Sequence, residues 1–156
     1  MSTLDVGIIN VALPTLVAQL QTTFPQAQWA VLSYQLVSSS LVLAATRLGD
    51  MWGKKSLYQA GLITFTLGSL LCGLAPNINF LIGFRALQGL GAVFLSGLGL
   101  AIIAEIFPNS ERGRVVGIIG SVVSLGVALG PSLGGLFLYI AGWRSVFLIN
   151  VPLGII

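Results

Sequence analysis

Two ionisable side chains stand inside apolar runs, where charge is costly, and they are the groups that could do chemistry. Arg85 lies within the apolar run 80–107. Seven residues beyond Ile78, it sits about 10 Å below one membrane surface, and facing lipid there would cost at least roughly 2.5–3.5 kcal/mol. It therefore faces protein or a wet cavity, or snorkels to the headgroups. Asp5 lies in the first run, 4–20. At membrane depth its carboxyl can load and unload a proton, so that cation binding and protonation compete. With four residues ahead of it, it can equally stand in water at the interface. A direct Asp5–Arg85 ion pair is not expected, because helix rise sets the two about 12 Å apart in depth.

A third group of charges is a knot. Arg47, Asp50, Lys54 and Lys55 are four of the eleven charges in the chain, set with Gly49 and Gly53 between two long apolar runs. The pattern predicts a tight loop between membrane helices, with Gly49 in the left-handed cap of the first and Gly53 at a second bend. Asp50, disfavoured at the carbonyl end of its own helix, is expected to turn toward the amide end of another. Together with Glu105, Glu111, Arg112 and Arg114 these charges can pair into a latch or form a solvated rim. Exposed pairs contribute little singly, so only a network with helix-end contacts would gate. The latch reading is preferred for Asp50 and the rim for Glu111.

The elements that position these groups follow from composition. Of 156 residues, 56% are hydrophobic and 7% charged, with a mean hydropathy of +1.00. About a quarter of a soluble domain is charged, so this is an integral membrane protein whose first partner is the lipid bilayer. A net charge of +3 is too small for a nucleic-acid footprint. One cysteine, Cys72, and no histidine exclude an intrachain disulfide, a cysteine metal cluster and histidine chemistry. No metal or cofactor is expected, and with no nucleophile–base pair the chain does not read as an enzyme. No removable leader is expected either.

The chain is read as one partial transmembrane domain over 1–156, all-α and polytopic, with runs at 4–20, 29–48, 56–75, 80–107, 115–140 and 146–156. Pro14 should kink the first run, and the last is too short to cross a bilayer. In the second run, Gln35, Ser38, Ser39, Val42, Ala45, Thr46 and Gly49 form a small, polar stripe suited to close packing. The third run is the most uniformly apolar and is expected to face lipid. On the fourth, Arg85, Gly89, Ala92, Ser96 and Gly99 share a face. On the fifth, Gly126, Gly130 and Gly134 recur every four residues where another backbone can approach, while Pro131 frees the carbonyl of Val127. Basic residues gather on the second and fourth connections, which places those loops and the N-terminus in the cytoplasm.

These stretches, taken together, resemble the major facilitator superfamily of secondary transporters. The knot is similar to the family's loop signature between its second and third helices, with Gly49 directly before Asp50 and Lys54 in place of the usual arginine. Leu81-Ile82-Gly83-Phe84-Arg85-Ala86-Leu87-Gln88-Gly89-Leu90-Gly91-Ala92 resembles the fourth-helix motif with its embedded arginine. Gly126, Gly130, Pro131, Gly134 and Gly135 match the fifth-helix G-x-x-x-G-P-x-x-G-G antiporter motif. Leu4-Asp5 with Asn10 to Pro14, and Trp143-Arg144 with Phe147 to Pro152, are similar to the fourteen-helix drug:proton antiporters, the EmrB/QacA group.

The resemblance implies the N-terminal six-helix half of a transporter, incomplete in its first and sixth helices, with the C-terminal half as its missing partner. It implies proton-driven export of lipophilic or cationic compounds across the plasma (inner) membrane. Small-molecule substrate and proton are then the cargo, Asp5 and Arg85 the coupling residues, and Gly49, Asp50, Gly53, Lys54 and Lys55 the gating loop. A carrier of another small solute, or a non-transporting membrane fragment that associates with a partner half, are the alternative readings.

Overall fold

The computed structural model describes residues 2–155; the side chains of residues 2–6, 153 and 155 lie outside the described set. The described residues form eight helices: α1 Ser2–Gln19, α2 Phe24–Ser40, α3 Val42–Trp52, α4 Lys54–Gly73, α5 Ile78–Ile106, α6 Asn109–Ala141, α7 Trp143–Leu148 and α8 Asn150–Ile155. No strand occurs among them. α4, α5 and α6 are each long and apolar enough to cross a membrane, and α2 and α3, bent by 50° at their break, reach that length and apolarity when taken together as one span.

The second run departs from a straight helix at both ends. α2 starts at Phe24, ahead of Trp29, because local signals begin it early. Thr23 takes the extended N-cap geometry, Pro25 fits the first turn, and Gln26 Oε1 accepts from the Thr23 N–H (3.5 Å) and the Thr22 hydroxyl (2.6 Å). The bend near Leu41 follows three consecutive serines. Ser38 and Ser39 donate to the carbonyl of Gln35 at 3.1 and 2.7 Å, and Ser40 donates to that of Leu36 at 2.5 Å. Hydroxyls that bond back to the preceding turn bend helices. The expected packing stripe holds only below the bend, where Ala45 and Gly49 are buried; above it the buried face is Ala27, Ala30, Val31 and Tyr34.

The knot is a different turn from the one expected. Gly49 is helical and buried within α3, against Leu98 of α5, whereas Gly53, at φ +92°, separates α3 from α4 and donates its N–H to Gly49 at 3.0 Å. Gly49 is needed for close approach and Gly53 for the bend.

α4 also corrects its expectation. It is not uniformly outward-facing: Leu57, Gly61, Phe65, Gly68, Ser69, Cys72 and Gly73 form a buried stripe along its length, most of it against α5, while Ile63 and Leu67 stay exposed on the other face. The long helix left outside is α6, whose buried residues are Gly130 and Gly134. Asn77 accepts the Phe80 N–H at 3.1 Å and starts α5 at Ile78, so Arg85 stands two turns into that helix. Around it, Ile9 and Leu16 of α1, Ala30 of α2, Cys72 of α4, Leu81 of α5, and Trp143 and Phe147 of α7 close a hydrophobic core.

Candidate functional site

Arg85 is completely buried in that core. Its Nε donates to the carbonyl of Ala30 on α2 at 3.0 Å, and Nη1 donates to Gln88 Oε1 at 2.7 Å, one turn along its own helix. The guanidinium lies over the Tyr34 ring at 4.3 Å from the centroid, with the Phe147 ring at 5.8 Å. Gln88, itself fully buried, donates through Nε2 to Ser69 Oγ of α4 at 2.6 Å, and the Cys72 thiol faces its Oε1 at 3.9 Å. The snorkelling alternative is thereby set aside, since the charge points into protein. The guanidinium is a donor-only cation, and carbonyl oxygens and aromatic faces hold it here.

Close backbone approach builds the site. A Cβ at Gly89 would meet the Tyr34 carbonyl at 2.8 Å, and one at Gly68 would meet the Gln88 Cα at 2.8 Å. Only glycine lets α2 and α4 come near enough for Ala30, Tyr34 and Ser69 to reach the α5 side chains. Asp5 occupies the first turn of α1, but its side chain lies outside the described residues, and no partner is assigned to it.

At the other end of the bundle, Lys54 pairs with Asp50 at 3.3 Å and with Glu105, joining α3, α4 and α5; these are the two ion pairs among the described residues. Asp50 thus meets the start of α4 through an ammonium instead of through backbone amides. Arg112 caps α5, donating through Nε to the Phe107 carbonyl at 2.9 Å and through Nη2 to that of Ala104. Arg47, Lys55, Glu111 and Arg114 are exposed. In the glycine motif of α6, a Cβ at Gly134 would meet Ile8 Cγ2 at 2.8 Å, and a Cβ at Gly7 would lie 3.7 Å from Gly130, so α1 and α6 touch through these residues. Pro131 is exposed, and Gly135 faces open space.

A cleft of about 1220 Å³ opens between α4, α5 and α6, lined by Tyr58, Gln59, Leu62, Ser96, Ile103 and Ile119, with Lys54, Lys55 and Glu105 at its charged end. Ser96 and Gly99, expected to share the Arg85 face, line this cleft instead. Sequence reasoning names Gln88 only within the fourth-helix motif and misses Ser69 and Tyr34. Gln88 was the most accessible of them to reasoning, as the buried amide three residues from Arg85 on one helix.

Comparison with known proteins adds a lineage. A model described as Major Facilitator Superfamily matches residues 1–156. The riboflavin transporter RibZ of Clostridioides difficile is 44% identical over all of this chain and 34% of its own length. Multidrug resistance protein Stp of Mycobacterium tuberculosis is 41% identical over 97% of this chain and 28% of its own. The methylenomycin A resistance protein of Bacillus subtilis is 39% identical over 99% of this chain and 33% of its own. The chain therefore spans about a third of the length of these relatives. In three dimensions it is similar to a bacterial homologue of the human lysosomal transporter Spinster, solved inward-facing and occupied. The TM-score is 0.69 and the identity 21%, over 98% of this chain and 40% of that one, a likeness of fold.

Proposed function

This chain belongs to the major facilitator superfamily, and from that premise we propose that it forms the N-terminal part of a proton-coupled exporter of lipophilic or cationic compounds. The observation that carries the reading is Arg85, a cation fully buried between helices and bonded to the Ala30 carbonyl and to Gln88. A carboxyl in the same membrane domain as that charge can hold a proton or attract a cationic substrate but not both, which makes the two compete for one conformational cycle. Asp5 is the acid we assign to that role. Export is supported by the names of the Stp and methylenomycin A resistance relatives and by the α6 motif, whose Gly130 and Gly134 pack on α1. RibZ supports a second reading, carriage of another small solute such as a flavin.

Alternating access requires two halves around a site, so the activity belongs to the longer protein, with its C-terminal half as partner. The cleft is not taken as the substrate pocket. α7 and α8 run antiparallel along α4, with Leu148 beside Gly73 and Gly154 beside Thr66, and the cleft opens next along that line at Leu62.

Transport is tested with the full-length protein in inverted vesicles, acid inside, with a fluorescent reporter of the pH gradient. Ethidium is expected to trigger proton release. Release with riboflavin alone would favour the second reading, and none with either would sink proton coupling. In the same vesicles Glu105→Gln is expected to slow release several-fold if Asp50, Lys54 and Glu105 act as a gating latch; an unchanged rate makes them a solvated rim.

Orientation is open to direct labelling. With the charged loops in the cytoplasm of a plasma-membrane protein, Asn79→Cys reacts with a membrane-impermeant maleimide on intact cells, whereas Lys55→Cys reacts only after inversion. Both positions are exposed, and Cys72 is buried. The reverse pattern would invert the topology.

A further inference from the structure

We propose that Ser69 of α4 is a positioning residue for Arg85, acting through the side-chain amide of Gln88. The inference rests on reading Arg85 as the coupling cation. The guanidinium is donor-only, so Gln88 helps it only while the amide oxygen faces it. The other end of that amide carries two N–H groups in a fully buried place, and one of them is met by Ser69 Oγ at 2.6 Å. Ser69 is buried as well and belongs to a different helix, so the Arg85–Gln88–Ser69 chain ties the position of a charge on α5 to the packing of α4.

Remove the hydroxyl, and a buried donor is left unmet. The amide then gains by rotating toward another acceptor, and rotation takes Oε1 away from Nη1. The guanidinium keeps the Ala30 carbonyl and the Tyr34 face but loses the Gln88 bond to Nη1. The field it exerts on a protonating group shifts, and so does the pH at which substrate and proton exchange. A residue that only held α4 in place would change the amount of folded transporter and leave that pH alone.

The experiment measures substrate-induced proton release across pH in vesicles of the full-length protein, normalised to transporter in the membrane. Ser69→Ala is expected to move the half-maximal pH by about half a unit or more, and Ser69→Thr, which keeps the hydroxyl, to restore it. A wild-type midpoint in Ser69→Ala overturns the positioning role. Should Ser69→Ala fail to accumulate, Ser69→Cys, a weaker acceptor, is read in its place: a smaller shift supports the role and no shift overturns it. Arg85→Gln separates the two layers. If that variant keeps the wild-type midpoint, the coupling reading of Arg85 falls; if it loses coupling while Ser69→Ala keeps the midpoint, only the role of Ser69 falls.

Discussion

Replacing Arg85 by methionine is expected to abolish proton-coupled transport by the full-length protein, by about a hundredfold or more, while leaving a folded transporter in the membrane. The two effects separate because of how the charge is held. Burying a guanidinium costs several kcal/mol, which its hydrogen bonds and ring contacts repay, so an apolar side chain of similar volume is nearly neutral for stability. Its removal takes one donor each from the Ala30 carbonyl, which lies within α2, and from Gln88 Oε1, which the Cys72 thiol still faces, a loss offset by the desolvation no longer needed. Arg85→Ala keeps those losses and adds a cavity, so it should also cost stability. Arg85→Lys retains the charge but not the planar fork that reaches Ala30 and Gln88 while lying on Tyr34. About a tenfold loss is expected of it. Parallel measurement of substrate-induced proton flux and of the thermal midpoint checks the separation. Wild-type coupling in Arg85→Met would remove Arg85 from the mechanism.

Arg85 was legible because a charge in an apolar run has few places to go. Its partners were not. Tyr34 and Ser69 lie in other runs, and a polar residue inside a membrane helix reads alike whether it meets a neighbour or its own preceding carbonyl. Ser38 and Ser39 show the second outcome: expected in a packing stripe, they and the neighbouring Ser40 bond back to Gln35 and Leu36 where the helix bends. Membership in the superfamily was read correctly from ordered motifs and the all-α fold from the apolar runs, yet the knot held a reversal, with Gly53 and not Gly49 at positive φ. Two glycines four apart can each serve as cap or as contact, and only the position of Leu98 across the gap decides between them. The lipid-facing assignment of the third run failed on its buried face for a related reason. Mean hydropathy does not distinguish lipid from protein as an apolar surrounding, whereas the spacing of Gly61, Gly68, Ser69, Cys72 and Gly73 does, because small residues on one face mark where a backbone comes close.

That failure points to the second large effect. Gly68→Ala is expected to destabilise the protein, and Gly83→Ala, on the outside of α5, to leave it unchanged or stabilise it slightly. In a helix the substitution ordinarily helps by about 0.5–1 kcal/mol, since glycine loses more backbone freedom on folding. At Gly83 nothing lies within 4 Å of the added Cβ, so that gain stands. At Gly68 the Cβ would meet Gln88 Cα at 2.8 Å, Cβ at 2.9 Å and N at 3.0 Å, and two of these are backbone atoms that move only if the helices part. The same crossing is tight on its other side, where a Cβ at Gly61 would meet Phe94 Cβ at 2.5 Å. Overpacking of this kind costs about 1–3 kcal/mol. Helices within a bilayer are held by such contacts without a hydrophobic drive, so the crossing has little in reserve. Parting α4 from α5 also draws Ser69 away from Gln88, so coupling should fall along with stability. The thermal midpoint in detergent and the fraction of protein in the membrane give the sign at each position. A rise at both glycines would mean that α4 and α5 do not meet through their backbones.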